Sequence, residues 1–214
     1  MNNSVEKFRA VAHGRVFAAI DAANLELSVK DMYVHPRDVM GEWVGTDPGE
    51  LAWGVDYRKL KLFFQTNSRL MQIAFYSPHF KTETHDGFLT VLKDAGYEIC
   101  TKPVKQYADH LPTAPHRKAN FDVEIAVDAV AGMEHSDTFI LFSGDSDFAY
   151  LLHFLRKHQK RTILFSRRGH VAKELFSTID DTPVLDRYFD IIDFRNEFLR
   201  LKKPKTPREA GFGS

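Results

Sequence analysis

The sequence has little of what several classes of protein require. Its 214 residues include one cysteine, Cys100, so an internal disulfide is excluded. No apolar run approaches the ~18–20 residues needed to cross a bilayer, and the N-terminal segment lacks the apolar core of a signal peptide. Lys and Arg together number 29, as do Asp and Glu, so no global field attracts nucleic acid. We expect a cytoplasmic protein with no membrane partner.

The signatures of several enzyme classes are also missing. The chain has no Gly-rich phosphate loop of the GxxxxGK[ST] type and no G-x-S-x-G turn. Its ten histidines have no cysteine partners, and the nearest candidate pair for a metal, His110 and His116, is explained by chance. A nucleotide-binding phosphate loop, a serine-hydrolase site and a zinc site are therefore not indicated.

The most informative stretch is Asp137–Leu155, DTFILFSGDSDFAYLLHFL. Residues Thr138–Ser143 form a short apolar run that is typical of a strand buried on both faces, and helical spacing of apolar residues begins at Phe148. Gly144 and three polar residues occupy the joint: Asp145, Ser146 and Asp147. One such residue suffices for a helix N-cap, whereas two acids beside a glycine also fit a divalent-cation site. These residues alone leave both interpretations open.

Strands and helices are predicted to alternate along the chain. The predicted strands are Val16–Ile20, Arg69–Tyr76, Tyr97–Lys102, Thr138–Ser143, Arg161–Ser166 and, as a strand or extended segment, Tyr188–Phe194. The predicted helices are Leu25–Val29, Asp56–Asn67, Lys81–Ala95, Phe121–Met133, a helix from Phe148, and His170–Ser177. This alternation favours a single α/β domain whose parallel sheet is covered on both faces.

The predicted domain spans residues 14–197, between an N-terminal extension (1–13) and a basic tail (198–214) that we expect to be disordered. Residues 32–54 are rich in glycine and proline and are predicted to be a long inserted loop. We expect Trp43 and Trp53 to anchor this loop to the core, with stacking on unpaired bases as the alternative.

Acidic and amide side chains are predicted to meet at one edge of the sheet. In an open parallel sheet the ligand site lies outside the carboxyl ends of the strands, near the point where strand order reverses. Asp21 and Asn24 follow the first strand, and Asp145 and Asp147 follow the fourth. Asp122 lies on the buried face at the start of its helix, from which a carboxylate can reach the same edge.

The neighbouring polar residues receive lesser roles. Ser143 and Ser146 are candidate supporting groups in the joint. Asp128 lies about 9 Å further along its helix than Asp122, so we treat it as structural, with a secondary role at the site left open. Clustered carboxylates stay ionised when a cation neutralises them, and oxygen ligands suit Mg²⁺ or Mn²⁺. Such a site favours phosphate substrates attacked by an activated water.

Three motifs in order resemble the NYN (LabA-type) branch of the PIN-like nucleases. They are Asp21-x-x-Asn24, the segment KANFDVEIAVD from Lys118 to Asp128, and SGDSDF from Ser143 to Phe148. The resemblance covers most of the chain and implies a PIN-like fold, a Rossmann-like αβα sandwich with a mainly parallel sheet. It also implies a four-carboxylate Mg²⁺ or Mn²⁺ site that hydrolyses RNA.

Carried over residue by residue, the resemblance assigns functional roles to five positions. The metal-site and catalytic acids are Asp21, Asp122, Asp145 and Asp147, with Asn24 as the neighbouring polar ligand. The chain departs from the family where Asn120-Phe121 replaces the glycine and valine that often precede the middle aspartate. The long insertion at 32–54 is a second departure. Both bear on substrate access more than on metal binding.

Basic residues near the predicted edge are candidates for RNA binding, since Lys and Arg contacts to phosphate supply most sequence-independent affinity. They are Lys102, Lys105, Arg117, Lys118, Arg167 and Arg168, with Arg167-Arg168-Gly169 as the first choice. A solvated basic rim is the alternative for each of them. Assembly as a homo-oligomer is left open.

Three functions are compatible with these residues. The first is a metal-dependent ribonuclease, with endonucleolytic action favoured, and the second is a non-catalytic RNA-binding or scaffold protein. The third is another phosphotransfer enzyme, such as a phosphatase or a topoisomerase-primase-like domain. A phosphatase requires a nucleophilic Asp-x-Asp after the first strand, and the sequence Asp21-Ala22-Ala23-Asn24 disfavours it.

Overall fold

The computed structural model describes residues 3–103 and 120–203, together with the backbone of residues 105–106 and 117–118. The helices are α1 (Asn3–Val11), α2 (Ala22–Lys30), α3 (Tyr57–Asn67), α4 (Glu83–Asp94), α5 (Asp122–Ala131), α6 (Ala149–Lys157) and α7 (Arg195–Phe198). The strands are β1 (Arg15–Asp21), β2 (Ala52–Val55), β3 (Arg69–His79), β4 (Glu98–Pro103), β5 (Lys105–Gln106), β6 (Arg117–Lys118), β7 (Thr138–Phe142), β8 (Arg161–Ser166), β9 (Thr178–Ile179), β10 (Thr182–Pro183), β11 (Arg187–Asp190) and β12 (Leu199–Lys202).

The central sheet has six strands in the order β11-β8-β7-β1-β3-β4. Every neighbouring pair in it is parallel. The chain moves outward from β1 through β3 to β4 and then returns to the other side of β1 to form β7, so strand order reverses between β1 and β7. The predicted single α/β domain of Rossmann-like, PIN-like architecture is confirmed.

Two apolar layers cover the faces of the sheet, because alternate residues of a strand point to opposite sides. Ile20 packs in one layer with Leu25 of α2 and Phe64 of α3. Its neighbour Ala19 packs in the other layer with Ile125 of α5, and α6 completes that side. The helices therefore connect the strands on both sides and leave the carboxyl ends of β1 and β7 at one edge.

The segments that flank the predicted domain contribute to the core. In the N-terminal extension, Phe8 of α1 is fully buried. At the other end, β12 pairs antiparallel with β2, and Phe198 and Leu199 are buried. The expectation of disorder from residue 198 is therefore wrong for this segment, because its apolar side chains complete the core. The rest of the predicted tail, residues 204–214, lies outside the described residues.

The predicted loop at 32–54 is more ordered than expected, since it contains three short 3-10 helices and leads into β2. Trp53 is 5% exposed, and its indole N–H donates to the carbonyl oxygen of Tyr33 at 3.3 Å. Trp43 packs against the same core. The expected anchoring of the loop by tryptophan is confirmed.

Two predicted elements after β8 are shorter than expected. The helix expected at His170–Ser177 is only a 3-10 turn, Lys173–Phe176, because Ala172 is extended and donates its N–H to Gly144. The strand expected at Tyr188–Phe194 ends at Asp190, whose side chain caps the following 3-10 turn.

Among residues 3–103 and 120–203, no helix combines the length and apolar composition needed to cross a membrane.

Candidate metal centre

The joint between β7 and α6 is shaped by its own side chains. The Ser143 hydroxyl accepts a hydrogen bond from the Asp145 N–H at 3.2 Å, and Asp145 Oδ1 accepts from the Asp147 N–H at 3.1 Å. These bonds turn the chain into a 3-10 helix, Ser146–Phe148, with Asp145 as its N-cap. Capping and metal binding are compatible here, because a carboxylate has more acceptor sites than one cap bond uses.

Gly144 allows the loop after β8 to pack against this joint. A Cβ atom at this position would overlap the carbonyl oxygen of His170. The close approach is held by the Ala172 N–H, which donates to the Gly144 carbonyl at 2.9 Å. A residue without a side chain is therefore required at the carboxyl end of β7, because the His170 carbonyl leaves no room for a Cβ atom.

Asp122 reaches the same edge as the first residue of α5. The Asn120 side chain accepts the Asp122 N–H at 2.9 Å, which holds the start of the helix. Burial raises the pKa of the Asp122 carboxyl, a hydrogen bond from Asn120 opposes the rise, and the charges of Asp145 and Asp147 add to it. Concentrated negative charge is the electrostatic condition that a bound cation relieves.

The structure brings three of the four predicted acids together. Ligand oxygens of Asp122, Asp145 and Asp147 all lie within 4.8 Å of one another, which defines the acidic triad. Asp122 and Asp145 are half-buried and Asp147 is exposed, so the triad is open to solvent on one side. A donor set made only of carboxylate oxygens fits a hard divalent cation such as Mg²⁺ or Mn²⁺.

Asp21, the fourth predicted acid, lies at the end of β1 and is not part of the triad. It is buried, and its carboxylate accepts two bonds from Asn24, one from the backbone at 3.3 Å and one from the side chain at 2.6 Å. Burial raises the pKa of Asp21, the bonds from Asn24 oppose this, and the charge of Asp122 raises it further. Asp21 is thus electrostatically coupled to the triad through Asp122.

Asp128 has a structural partner. Its Oδ2 accepts the Tyr76 hydroxyl at 2.8 Å, and burial of that phenol raises its pKa. This bond ties α5 to β3, as the structural assignment of Asp128 requires.

Residues around α5 make contacts that the sequence pattern does not reveal. Lys102 at the end of β4 is more than a member of the basic rim, since its Nζ donates to Glu124 Oε1 at 2.7 Å. The same Nζ lies 4.6 Å from the centre of the Phe121 ring. The departure Asn120-Phe121 from the family pattern therefore has a local role: Asn120 accepts the N–H of Asp122, the first residue of α5, and the Phe121 ring supports Lys102. Nothing in the spacing of the motif indicates this.

The other candidate RNA-binding residues are less well defined. Arg168 has a side chain that is 89% exposed, and its backbone N–H donates to Asp190 on the β11 side of the sheet. Arg167 has one guanidinium nitrogen, Nη1, that is enclosed without a hydrogen-bond partner in the described part of the chain. The side chains of Arg117 and Lys118 lie outside the described residues; their backbone forms β6, paired with β5.

Comparison with known proteins places this geometry in a family. The sequence profile of the NYN domain matches residues 15–186. The chain belongs to the NYN domain family. Its matched region contains all four predicted acids and the whole β1–β7 edge, as expected for an NYN/LabA-type, PIN-like domain.

Two known proteins extend the comparison of this NYN domain. The low amplitude and bright protein LabA of Synechococcus elongatus is 29% identical over 157 residues, which cover 72% of this chain and 81% of that protein. A crystal structure of a Vibrio parahaemolyticus protein of unknown function superposes with a TM-score of 0.58 at 17% identity. It covers 88% of this chain and 98% of that chain, and at this identity it supports the fold alone.

Proposed function

We propose that this NYN domain is a divalent-metal-dependent ribonuclease that hydrolyses phosphodiester bonds at the carboxyl edge of its sheet. The observation that carries the proposal is the acidic triad, with its three carboxylates within 4.8 Å of one another beside the strand-order reversal. Membership of a nuclease-like family supports the same reaction class. Internal, endonucleolytic cleavage is part of the proposal.

In this proposal Asp122, Asp145 and Asp147 hold Mg²⁺ or Mn²⁺, and Asp21 is the fourth acid of the set. A bound cation would neutralise charge on the phosphoryl oxygens and acidify a water for attack. Asn24 orients the Asp21 carboxylate through its 2.6 Å bond. The backbone turn at Asp145 fixes the spacing between two of the ligands, because both acids belong to one capped 3-10 helix.

Basic side chains supply the proposed contacts to RNA phosphates. Lys102 carries a positive charge that acts on Asp122, where it lowers the pKa of the carboxyl against the larger effect of burial. The proposed outer contacts are Arg117, Lys118, Arg167 and Arg168. Because these contacts are made to the RNA phosphates, binding should weaken as salt concentration rises.

The test is cleavage of a labelled circular single-stranded RNA by the full chain with Mn²⁺ or Mg²⁺. A circular substrate has no ends, so cutting it demonstrates endonucleolytic action. The double variant Asp145→Asn plus Asp147→Asn should lose activity by about 100-fold or more, the scale of lost electrostatic stabilisation in a transition state. Asp94→Asn, an exposed acid at the end of α4, is the matched control and should cut like wild type.

The outcomes separate the candidate functions. Cleavage that requires metal and is lost in EDTA and in the double variant supports the proposal. A folded wild type that binds RNA and never cuts it, linear or circular, with either metal, favours a scaffold instead. Equal cleavage by wild type and the double variant contradicts the proposed site.

A further inference from the structure

Four rings form a connected group where β3 ends and α4 begins. His79 and His85 lie 6.0 Å apart between ring centres, Phe80 and His85 lie 5.2 Å apart, and His85 and Phe88 lie 6.2 Å apart. We call His79, Phe80, His85 and Phe88 the ring cluster. The Phe80–His85 contact is edge-to-face.

The ring cluster lies at the same edge of the sheet as the acidic triad. In the pairing of β1 with β3, Asp21 is opposite Tyr76, so His79 is three residues further along the strand direction, a distance of about 10 Å. In the pairing of β3 with β4, Pro78 is opposite Lys102. The cluster therefore adjoins β4, the strand that carries Lys102.

The cluster is partly open to solvent and is held in place by hydrogen bonds. Phe80 is 42% exposed, and the His79 side chain is 35% exposed and bonded to Asp86 at 2.7 Å. Thr82 caps α4 by accepting the N–H of His85. An exposed aromatic ring on a fixed support is the arrangement that stacks unpaired bases in single-strand binders.

His85 is the ring that the other three members of the cluster contact. Burial lowers the pKa of the His85 imidazole, and a hydrogen bond with the Pro78 backbone opposes this. Its Nε2 is enclosed and has no hydrogen-bond partner in the described part of the chain. Because that atom is enclosed, RNA does not reach it, and His85 acts as a support that packs against the Phe80 ring.

We propose that the ring cluster is a base-stacking subsite for single-stranded RNA, with Phe80 as the stacking face. The inference rests on the proposed function, because it gives the RNA substrate a binding position at the same edge of the sheet as the acidic triad. Stacking accepts every base, since each has a π face. The subsite therefore adds affinity for unpaired RNA without specifying its sequence.

The experiment measures RNA affinity in a protein that does not cut. The full chain with Asp145→Asn is titrated, in Ca²⁺, into a fluorescent single-stranded RNA, and anisotropy is recorded. Adding Phe80→Ala should weaken binding roughly 5- to 150-fold, the loss expected for one stacked base. Adding Phe80→Tyr should preserve binding, because the ring is kept.

Two controls separate stacking from general damage. Tyr33→Ala removes a 71% exposed ring beyond the far end of α2, about 14 Å of helix away from the Asp21 edge, and should leave affinity unchanged. An RNA of the same length without bases should bind the parent and Phe80→Ala equally, because it keeps the phosphates and offers nothing to stack.

The outcomes distinguish this inference from the proposed function. If wild type cleaves RNA and Phe80→Ala binds base-bearing RNA like its parent, the ring cluster is not a base subsite and the nuclease proposal stands. If Phe80→Ala selectively loses base-bearing RNA while wild type never cleaves, the subsite stands and the nuclease proposal falls. Absence of both binding and cleavage overturns both.

Discussion

The Asn24 side chain holds the Asp21 carboxylate with a hydrogen bond of 2.6 Å. The other end of the same amide accepts the Gly144 N–H at 3.5 Å. One side chain therefore links the end of β1 to Gly144, two residues after β7. The order of the sheet reverses between these two strands. The fourth acid is oriented by this link and not by the triad itself.

Replacing Asn24 should disturb Asp21 directly. Asn24→Ala removes the side-chain donor from a buried carboxylate, so the free energy of unfolding should fall by about 1–3 kcal/mol. Asn24→Asp should destabilise the protein more, because it places a second negative charge beside Asp21. Urea denaturation at pH 7 measures both. Wild-type stability in Asn24→Asp would contradict the described link.

Gly144 offers a test of close packing at the end of β7. Gly144→Ala should destabilise the protein by about 1–3 kcal/mol, because the new Cβ overlaps the His170 carbonyl. Gly87→Ala is the matched control. Gly87 lies inside α4, and apart from its chain neighbours and the backbone of its own helix no atom lies within 4 Å of its Cβ position. Alanine should stabilise this helix by up to about 1 kcal/mol. Thermal unfolding compares them, and equal shifts in the same direction would disprove the spatial argument.

The ion pair of Arg15 and Asp137 predicts a dependence of stability on acid pH. Arg15 donates to Asp137 from its backbone at 2.7 Å and from its guanidinium at 3.1 Å, and these bonds lower the pKa of Asp137 to about 2. Because the carboxyl is less acidic in the unfolded chain, the stabilisation is complete well above pH 4. It is lost as pH falls through about 2.

Asp137→Asn should therefore be less stable than wild type at pH 7, by about 1 kcal/mol for a partly exposed pair. The difference between the two proteins should shrink as pH falls from about 5 toward 3. Chemical denaturation at these pH values measures it. A difference that stays constant with pH would show that the charge of Asp137 does not contribute.

Much of the fold is predictable because local pattern and tertiary role agree. The strand Arg161–Ser166 has the same bounds in the sequence pattern and in the structure, since a buried parallel strand is a continuous apolar run between polar ends. The segment after it is not predictable in this way, because the bond from Ala172 to Gly144 is a tertiary contact that overrides helical spacing. The strand β12 is not predicted for a similar reason. It forms by pairing with β2, which is distant in the sequence, so local pattern does not indicate it.

The site is predictable at the level of its acids. Asp122, Asp145 and Asp147 are brought together as the ends of their elements indicate. The sequence does not predict that Asp21 is bonded to Asn24 and stands apart from the triad. It also does not predict the contacts of Lys102 with Phe121 and Glu124. Such contacts depend on the direction of side chains from neighbouring elements, which spacing along one element does not specify.

The central claim is that the acidic triad binds a divalent cation, and calorimetric titration of the full chain with Mn²⁺ tests it most directly. Wild type and the control Asp94→Asn should bind Mn²⁺ with the same affinity. The double variant Asp145→Asn plus Asp147→Asn should lose that binding while its circular dichroism spectrum is retained, because two of the three carboxylate charges of the triad are removed. Equal binding of Mn²⁺ by the double variant and wild type would contradict the claim.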